Sequence, residues 1–153
     1  VKLTFLKPLT KFDNLAPGSL GSAGTLTLAD ALTQATDSSF DVDIGSLAAH
    51  DRLVVTGTAL LNGTLALHCL GACSLAVGDS VTILSSTGTL AGSFAGVSLQ
   101  GFATGAFDVV YDRTARNVSL RVTQAVSAVP EPATTALWLA GLGMLGFMAR
   151  RRA

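Results

Sequence analysis

The sequence predicts an all-β body followed by one C-terminal transmembrane helix. Two observations carry this prediction. The body is a series of short apolar segments separated by Gly-rich turns, and some of these segments alternate apolar and polar residues, as half-buried strands do. The chain then ends in a long uncharged and mostly apolar segment that three consecutive arginines close.

The clearest strand pattern starts at Phe40, where Phe40, Val42 and Ile44 alternate with polar or small residues. Asn62-Gly63 is a strong turn dipeptide. Gly-Thr pairs recur between aliphatic segments, and this recurrence favours stacked coils, that is, a solenoid. The pairs have no fixed period, and a β-sandwich is the alternative. Further strands are predicted at 53–56, 64–68, 81–84, 94–99, 107–111 and 117–123.

Composition shifts divide the chain into segments. A Pro/Gly/Ser-rich run at 16–24 reads as loop, and the following residues, 26–36, predict either a short helix or the end of a strand. The start shows no apolar stretch of a signal peptide, so we expect either that the sequence begins inside a longer gene product or that its start was misassigned. The predicted segments are an irregular N-terminal part (1–24), a β-rich domain (25–123), a linker (124–132), a transmembrane helix (133–149) and an arginine-rich cytoplasmic tail (150–153).

The charge of the body argues against nucleic-acid binding. Apart from the terminal arginines and Glu131, the chain has 7 basic and 9 acidic residues, a net charge of −2. A nucleic-acid-binding surface needs a basic excess, which is absent here. Only 13% of all residues are charged and glycine is abundant, a composition that suits a β-rich extracellular module.

The C-terminal segment has the properties of a membrane anchor. Residues 133–149 carry no charge, and as a helix they would span roughly 25 Å at ~1.5 Å per residue, close to the thickness of a bilayer core. Pro132 suits a first helical turn. Arg150, Arg151 and Arg152 are expected on the cytoplasmic side, which places the body across the membrane. A buried helix of a soluble domain is the alternative.

This tail resembles a known bacterial signal. Val129, then Pro130-Glu131-Pro132, one apolar span and a terminal arginine cluster look like the PEP-CTERM sorting signal of Gram-negative bacteria. The resemblance implies an inner-membrane precursor that an exosortase recognises at the Pro-Glu-Pro motif and processes. It further implies delivery to the cell surface or the medium, often in a setting of exopolysaccharide and biofilm production.

A second resemblance concerns residues 40–123. The order of segments 51–59, 61–65, 78–84 and 92–94 is similar to the C-terminal part of autotransporter passengers. It implies the end of a right-handed parallel β-helix. Residues 112–117 would then be the turn of a final hairpin between strands at 109–111 and 118–122.

Cys69 and Cys73 are the only cysteines, with three residues including Gly71 between them. In an exported protein, two such cysteines are expected to form a disulfide. Two free thiols, or a metal site that also uses His68, are the alternatives; for the metal site no fourth ligand is marked.

The remaining polar residues suggest no defined chemistry. His50-Asp51 invites a catalytic interpretation, but no serine lies in a nucleophile-elbow motif, and a turn histidine is favoured. Asp41 and Asp43 share a strand face that could bind Ca²⁺ or a glycan; a solvated face is favoured because neither a Ca²⁺-loop pattern nor an acid–base pair is present.

The sequence therefore predicts an exported structural or adhesive protein with no catalytic residue, no cofactor and no metal. Its expected partners are the exosortase, the inner membrane as a transient anchor, and exopolysaccharide. The rivals are a carbohydrate-active enzyme whose active site lies upstream of these residues and a permanently anchored surface protein.

Overall fold

The computed structural model describes residues 2–5, 13–19 and 21–128. Within this part the chain forms thirteen β-strands and no helix. In chain order the strands are β1 (Lys2–Phe5), β2 (Asn14–Leu15), β3 (Thr25–Leu28), β4 (Leu32–Thr33), β5 (Ser39–Ile44), β6 (Arg52–Val55), β7 (Ala59–Leu61), β8 (Thr64–Cys69), β9 (Ser80–Ser86), β10 (Leu90–Gly92), β11 (Gly96–Gln100), β12 (Phe102–Asp112) and β13 (Asn117–Ala128).

The strands β3 to β11 repeat one pattern three times. Each run of three consecutive strands contributes one strand to each of three sheets, in the orders β1-β3-β6-β9-β13-β12, β4-β7-β10 and β2-β5-β8-β11. All pairings between successive repeats are parallel. Successive repeats are therefore joined by three separate ladders of backbone hydrogen bonds, one in each sheet.

The core is built from columns of apolar residues that share a register position. In the first sheet Leu26 pairs with Leu53, which pairs with Leu84, and all three are at most 2% exposed. The period-two alternation of β3 and β6 directs Leu26 and Leu53 inward and the residues between the buried positions outward. Each fully buried leucine contributes about 1.5–3 kcal/mol relative to an exposed one.

A β-hairpin lies at the end of the stack, next to the last repeat. β12 and β13 pair antiparallel, and β13 also pairs antiparallel with β9. The β13 residues Val118, Leu120 and Val122 are buried. The predicted hairpin with its turn at 112–117 is confirmed: the Asp112 carboxylate accepts hydrogen bonds from the N–H groups of Thr114 and Ala115.

The hairpin also contacts β10 and the segment between β10 and β11. The Tyr111 hydroxyl accepts a 3.0 Å hydrogen bond from the N–H of Phe94, and the rings of these residues lie 6.2 Å apart. The Arg113 guanidinium donates to the carbonyls of Leu90 at 3.1 Å and Gly92 at 2.9 Å, which lie on β10. Side chains of the hairpin thus form hydrogen bonds with backbone groups at the end of the stack, where no further strand of the described residues pairs with β10.

Gly63 shows why the predicted Asn62-Gly63 turn requires glycine. Its φ is +63°, in the left-handed region, and a Cβ there would lie 2.2 Å from the carbonyl oxygen of Ser38. The N–H of Thr64, the next residue, donates to that same carbonyl. Any side chain at 63 would separate two adjacent repeats.

The prediction of an all-β body is confirmed, and of the two alternatives for residues 26–36 the structure has strands, β3 and β4. Two boundaries were wrong: the segment 1–24 contains β1 and β2 and is not wholly irregular, and β13 continues to Ala128, inside the predicted linker. β1, β2 and β4 are defined by pairing with strands from other parts of the chain, which a local pattern does not reveal, and the extension of β13 is defined by its pairing with the first residues of β12. The predicted helix 133–149 lies outside the described residues.

Candidate functional site

A pocket of about 190 Å³ gathers most of the polar residues that the sequence singled out. Strand β5 supplies Asp41 and Asp43 on its outer face, opposite the buried Phe40 and Val42, and the neighbouring strand β8 supplies His68 beside Asp43. Asp51, the residue directly before β6, also lines the pocket. The rest of the lining comes from Asn14, Ala16 and Ser19.

Asp51 is the most deeply buried of these carboxylates, at 1% exposure. Its two oxygens accept hydrogen bonds from the N–H groups of Gly24, at 2.6 Å, and Asp43, at 3.0 Å. Burial raises the pKa of Asp51 above its usual value, and the nearby charge of Asp43 acts in the same direction, while the backbone hydrogen bonds oppose both effects. Asp51 therefore ties the loop that precedes β3 to the end of β5.

Asp43 holds the same loop from the other side. Its side chain is 5% exposed and accepts a 3.0 Å hydrogen bond from the N–H of Gly21. The expectation of a solvated strand face was wrong at this residue, because the loop that includes Gly18 and Gly24 folds over the outer face of β5. Both buried carboxylates are engaged by backbone donors, which compensate much of the cost of burying a charge.

Asp41 and His68 form the more open half of the pocket. Asp41 accepts hydrogen bonds from the Asn14 amide and the Ser39 hydroxyl. The Nε2 atom of His68 lies 3.8 Å from Asp41, with both side chains about one fifth exposed, and has no hydrogen-bond partner among the described residues. The contact is an ion pair only when the imidazole is protonated.

The hydrogen bonds of Asp43 and Asp51 hold a loop in place. Within the described part of the chain, no group of three or more His, Cys, Asp and Glu side chains could bind a metal ion. His50 does not line the pocket; it forms an isolated antiparallel bridge with Ile44, after the bend at residues 45–49.

Cys69 and Cys73 form a disulfide at the end of β8, with their Cα atoms 5.4 Å apart. Gly71 and Cys73 both have positive φ, which closes the chain into the small loop between the two sulfurs. Cys73 is fully buried. The alternative of a metal site with His68 would need two thiolates, and the disulfide leaves none.

The sorting residues predicted from the sequence, Val129 to Pro132 and Arg150 to Arg152, lie outside the described residues. The last strand, β13, ends at Ala128, directly before them. In the ranges that the structure describes, no helix is long and apolar enough to cross a membrane.

A comparison with known protein families finds a match at the C-terminal end of the chain. Residues 128–152 match the family model of the PEP-CTERM protein-sorting motif. No curated protein matches the chain. The match indicates an exported protein that an exosortase targets and that passes through a membrane-anchored precursor on its way to the cell envelope or surface. It covers none of the residues of the pocket.

Proposed function

We propose that this chain is a non-enzymatic structural or adhesive protein of the cell surface or extracellular matrix, released there after exosortase processing. The observation that carries the proposal is the PEP-CTERM sorting motif at residues 128–152. Pro130, Glu131 and Pro132 are then the residues that the exosortase reads, and they take no part in catalysis themselves.

The anchor in this proposal is a single transmembrane helix over residues 133–149. Its uncharged sequence supports insertion into the bilayer, and Arg150, Arg151 and Arg152 keep the C-terminus in the cytoplasm. The body then lies outside the cytoplasm. In that oxidising environment the disulfide of Cys69 and Cys73 is stable.

The proposed fold of the body is the end of a right-handed parallel β-helix. Support comes from the parallel pairing of the successive repeats in all three sheets and from the antiparallel hairpin at the last repeat. Crossover connections between parallel strands of one sheet are right-handed in nearly all proteins, which supports the proposed hand.

A structural role fits the pocket better than a catalytic one. Both oxygens of Asp51 and the Oδ2 atom of Asp43 accept hydrogen bonds from backbone N–H groups. A general acid or base must exchange a proton with a substrate, whereas these carboxylates accept hydrogen bonds from the backbone of the loop. As an extracellular partner we propose exopolysaccharide, to be tested by cosedimentation of the processed protein with polysaccharide from the host.

The sorting proposal is tested by intact mass and peptide mapping of the protein from membrane and medium fractions of a Gram-negative host. We expect secreted protein whose peptides stop between Val129 and Pro132. Glu131→Ala should leave uncleaved protein in the membrane, whereas Gln124→Ala, an exposed substitution on β13, should be processed normally.

In a host that lacks its exosortase, the wild-type protein should stay uncleaved in the membrane, as we expect for the Glu131→Ala variant. Membrane-bound protein that keeps Arg150 to Arg152 in the unmodified host would refute processing and identify a permanently anchored surface protein instead. Secretion that continues without the exosortase would refute the role of that enzyme.

A further inference from the structure

The strand β13 runs directly into the sorting motif. It ends at Ala128, and the match to the sorting motif begins at that same residue. One residue, Val129, stands between the strand and Pro130. The residues that the exosortase reads therefore follow a strand of the folded body without a linker.

The chain between the body and the proposed anchor is short. The anchor begins at residue 133, so residues 129–132 alone join β13 to the bilayer. Four extended residues span at most about 14 Å. An enzyme that binds its substrate as an extended segment, through backbone groups, finds little free chain here while β13 is paired to its last residue.

The last residues of β13 are paired with the start of β12. We call the antiparallel pairing of residues 102–106 with residues 124–128 the terminal ladder. Within it, Ala128 lies opposite Phe102. The backbone that an extended substrate would offer to an enzyme is therefore already engaged within the body.

The terminal ladder is the irregular part of the hairpin. Three register shifts interrupt the pairing between Phe102 and Phe107, whereas the pairing from Phe107 to Asp112 runs without a shift. β9 pairs with residues 117–121 of β13 and so supports the regular part from the other side. An irregular ladder at the end of a strand opens locally at a lower free energy than a strand that is paired on both sides.

β12 is the fixed strand of the terminal ladder. Phe102 packs against the core, and its ring lies 5.6 Å from the ring of Phe107. Gly101, the residue before it, lies so close to the disulfide that a Cβ at this position would be 3.2 Å from the Cβ of Cys69. When the terminal ladder opens, β13 therefore moves and β12 stays on the body.

We propose that the terminal ladder controls exosortase processing: residues 124–128 must separate from β12 before the enzyme can bind the motif, while the regular part of the hairpin stays folded. This step rests on the proposed function of the sorting motif. Separation adds five residues to the four at 129–132, so the free extended chain grows from about 14 Å to about 30 Å. The rate of processing then follows the population of molecules in which the ladder is open, as for proteolysis of a locally opened segment.

An engineered disulfide tests whether the ladder must open. Thr104→Cys combined with Ser127→Cys joins two paired positions of the terminal ladder, and directly paired residues have the Cα separation that a disulfide needs. In pulse-chase labelling in a Gram-negative host that has an exosortase, we expect processing of this stapled variant to be slowed about tenfold or more. Each single cysteine variant should be processed at the wild-type rate.

The matched control places the same bond in the regular part of the hairpin. Asp108→Cys combined with Arg121→Cys joins an exposed pair of the unshifted ladder, which stays closed during processing. Its rate should remain within about twofold of wild type. Peptide mapping without reductant checks that each engineered bond forms and that Cys69 and Cys73 keep theirs.

A linker insertion separates access to the motif from other effects of the engineered bond. About six Gly and Ser residues between Ala128 and Val129 supply flexible chain beside the motif and replace no residue of the ladder. In the stapled variant, the insertion should restore processing. In the otherwise unchanged protein, it should shorten the lifetime of the precursor.

The outcomes distinguish the ladder from the sorting function. Fast processing of the stapled variant, with its bond formed, would overturn the control by the ladder and leave the sorting function intact. A stapled variant that the insertion does not rescue would also overturn it, because access would not be the obstacle. If the stapled variant does not fold, an unchanged precursor lifetime after insertion into the wild-type chain would do the same. Wild-type protein that is never processed would refute the sorting function itself.

Discussion

Replacing Asp51 by alanine should destabilise the body more than any other single change at the pocket. Its carboxylate accepts hydrogen bonds from the N–H groups of Gly24 and Asp43, and the substitution leaves both donors without an acceptor. An unsatisfied buried donor costs about 1–3 kcal/mol. Because the Gly24 donor is only partly buried, we expect a loss of about 2–4 kcal/mol at neutral pH, a large share of a typical folding free energy of roughly 5–15 kcal/mol.

The measurement is urea denaturation of the full chain in mild detergent, followed by circular dichroism. Asp37→Ala is the matched control, since Asp37 is exposed and the change should stay within about 0.5 kcal/mol. A loss below about 1 kcal/mol for Asp51→Ala would refute the clamp, because the loop before β3 would then be held by other contacts.

The pH dependence gives a second signature of Asp51. Its pKa is raised in the folded state, mainly by burial, so the folded state holds the proton more tightly than the unfolded state. The stability linked to this proton is present below the ordinary aspartate pKa of 3.8 and is lost as pH rises through the folded pKa. Asp51→Ala should lack this component, so its deficit relative to wild type should be larger below pH 3.8 than at neutral pH.

Three further predictions concern the core, the hairpin and the disulfide. Leu53→Ala, at 0% exposure, should cost about 2–5 kcal/mol in urea denaturation, whereas Leu60→Ala, at 43% exposure, should cost much less. Tyr111→Phe removes the acceptor of a backbone hydrogen bond and should cost about 1 kcal/mol; since burial raises the pKa of Tyr111, wild type should also lose stability above pH 10, a loss that the variant lacks. Joint replacement of Cys69 and Cys73 by alanine should cost only about 2 kcal/mol, because the disulfide closes a loop with a sequence separation of 4; a reductant titration that destabilises wild type but not the double variant checks this.

The features that the sequence predicted correctly are those written into short stretches of chain. The alternation of Phe40, Val42 and Ile44 defines β5, and the polar turn at 112–117 separates the two strands of the hairpin. The sorting motif was predicted for the same reason, since its tripeptide, apolar span and arginines follow each other directly.

The features that were missed depend on contacts between distant parts of the chain. The burial of Asp43 and Asp51 is produced by a loop more than twenty residues upstream, and the sequence around either carboxylate looks like an exposed strand or turn. The same holds for β2, whose two residues form a strand only because β5 lies beside them. Parallel pairing between repeats hides its partners from any local pattern.

The position of β13 has a mechanical consequence. This strand lies between β9 and β12, and its last residue, Ala128, leads directly into the segment by which the protein is held or released. A load applied to that segment along the strand axis would not peel away an outer strand one bond at a time. It would shear the ladders on both sides of β13 together, and the body would resist a pull on its own point of attachment.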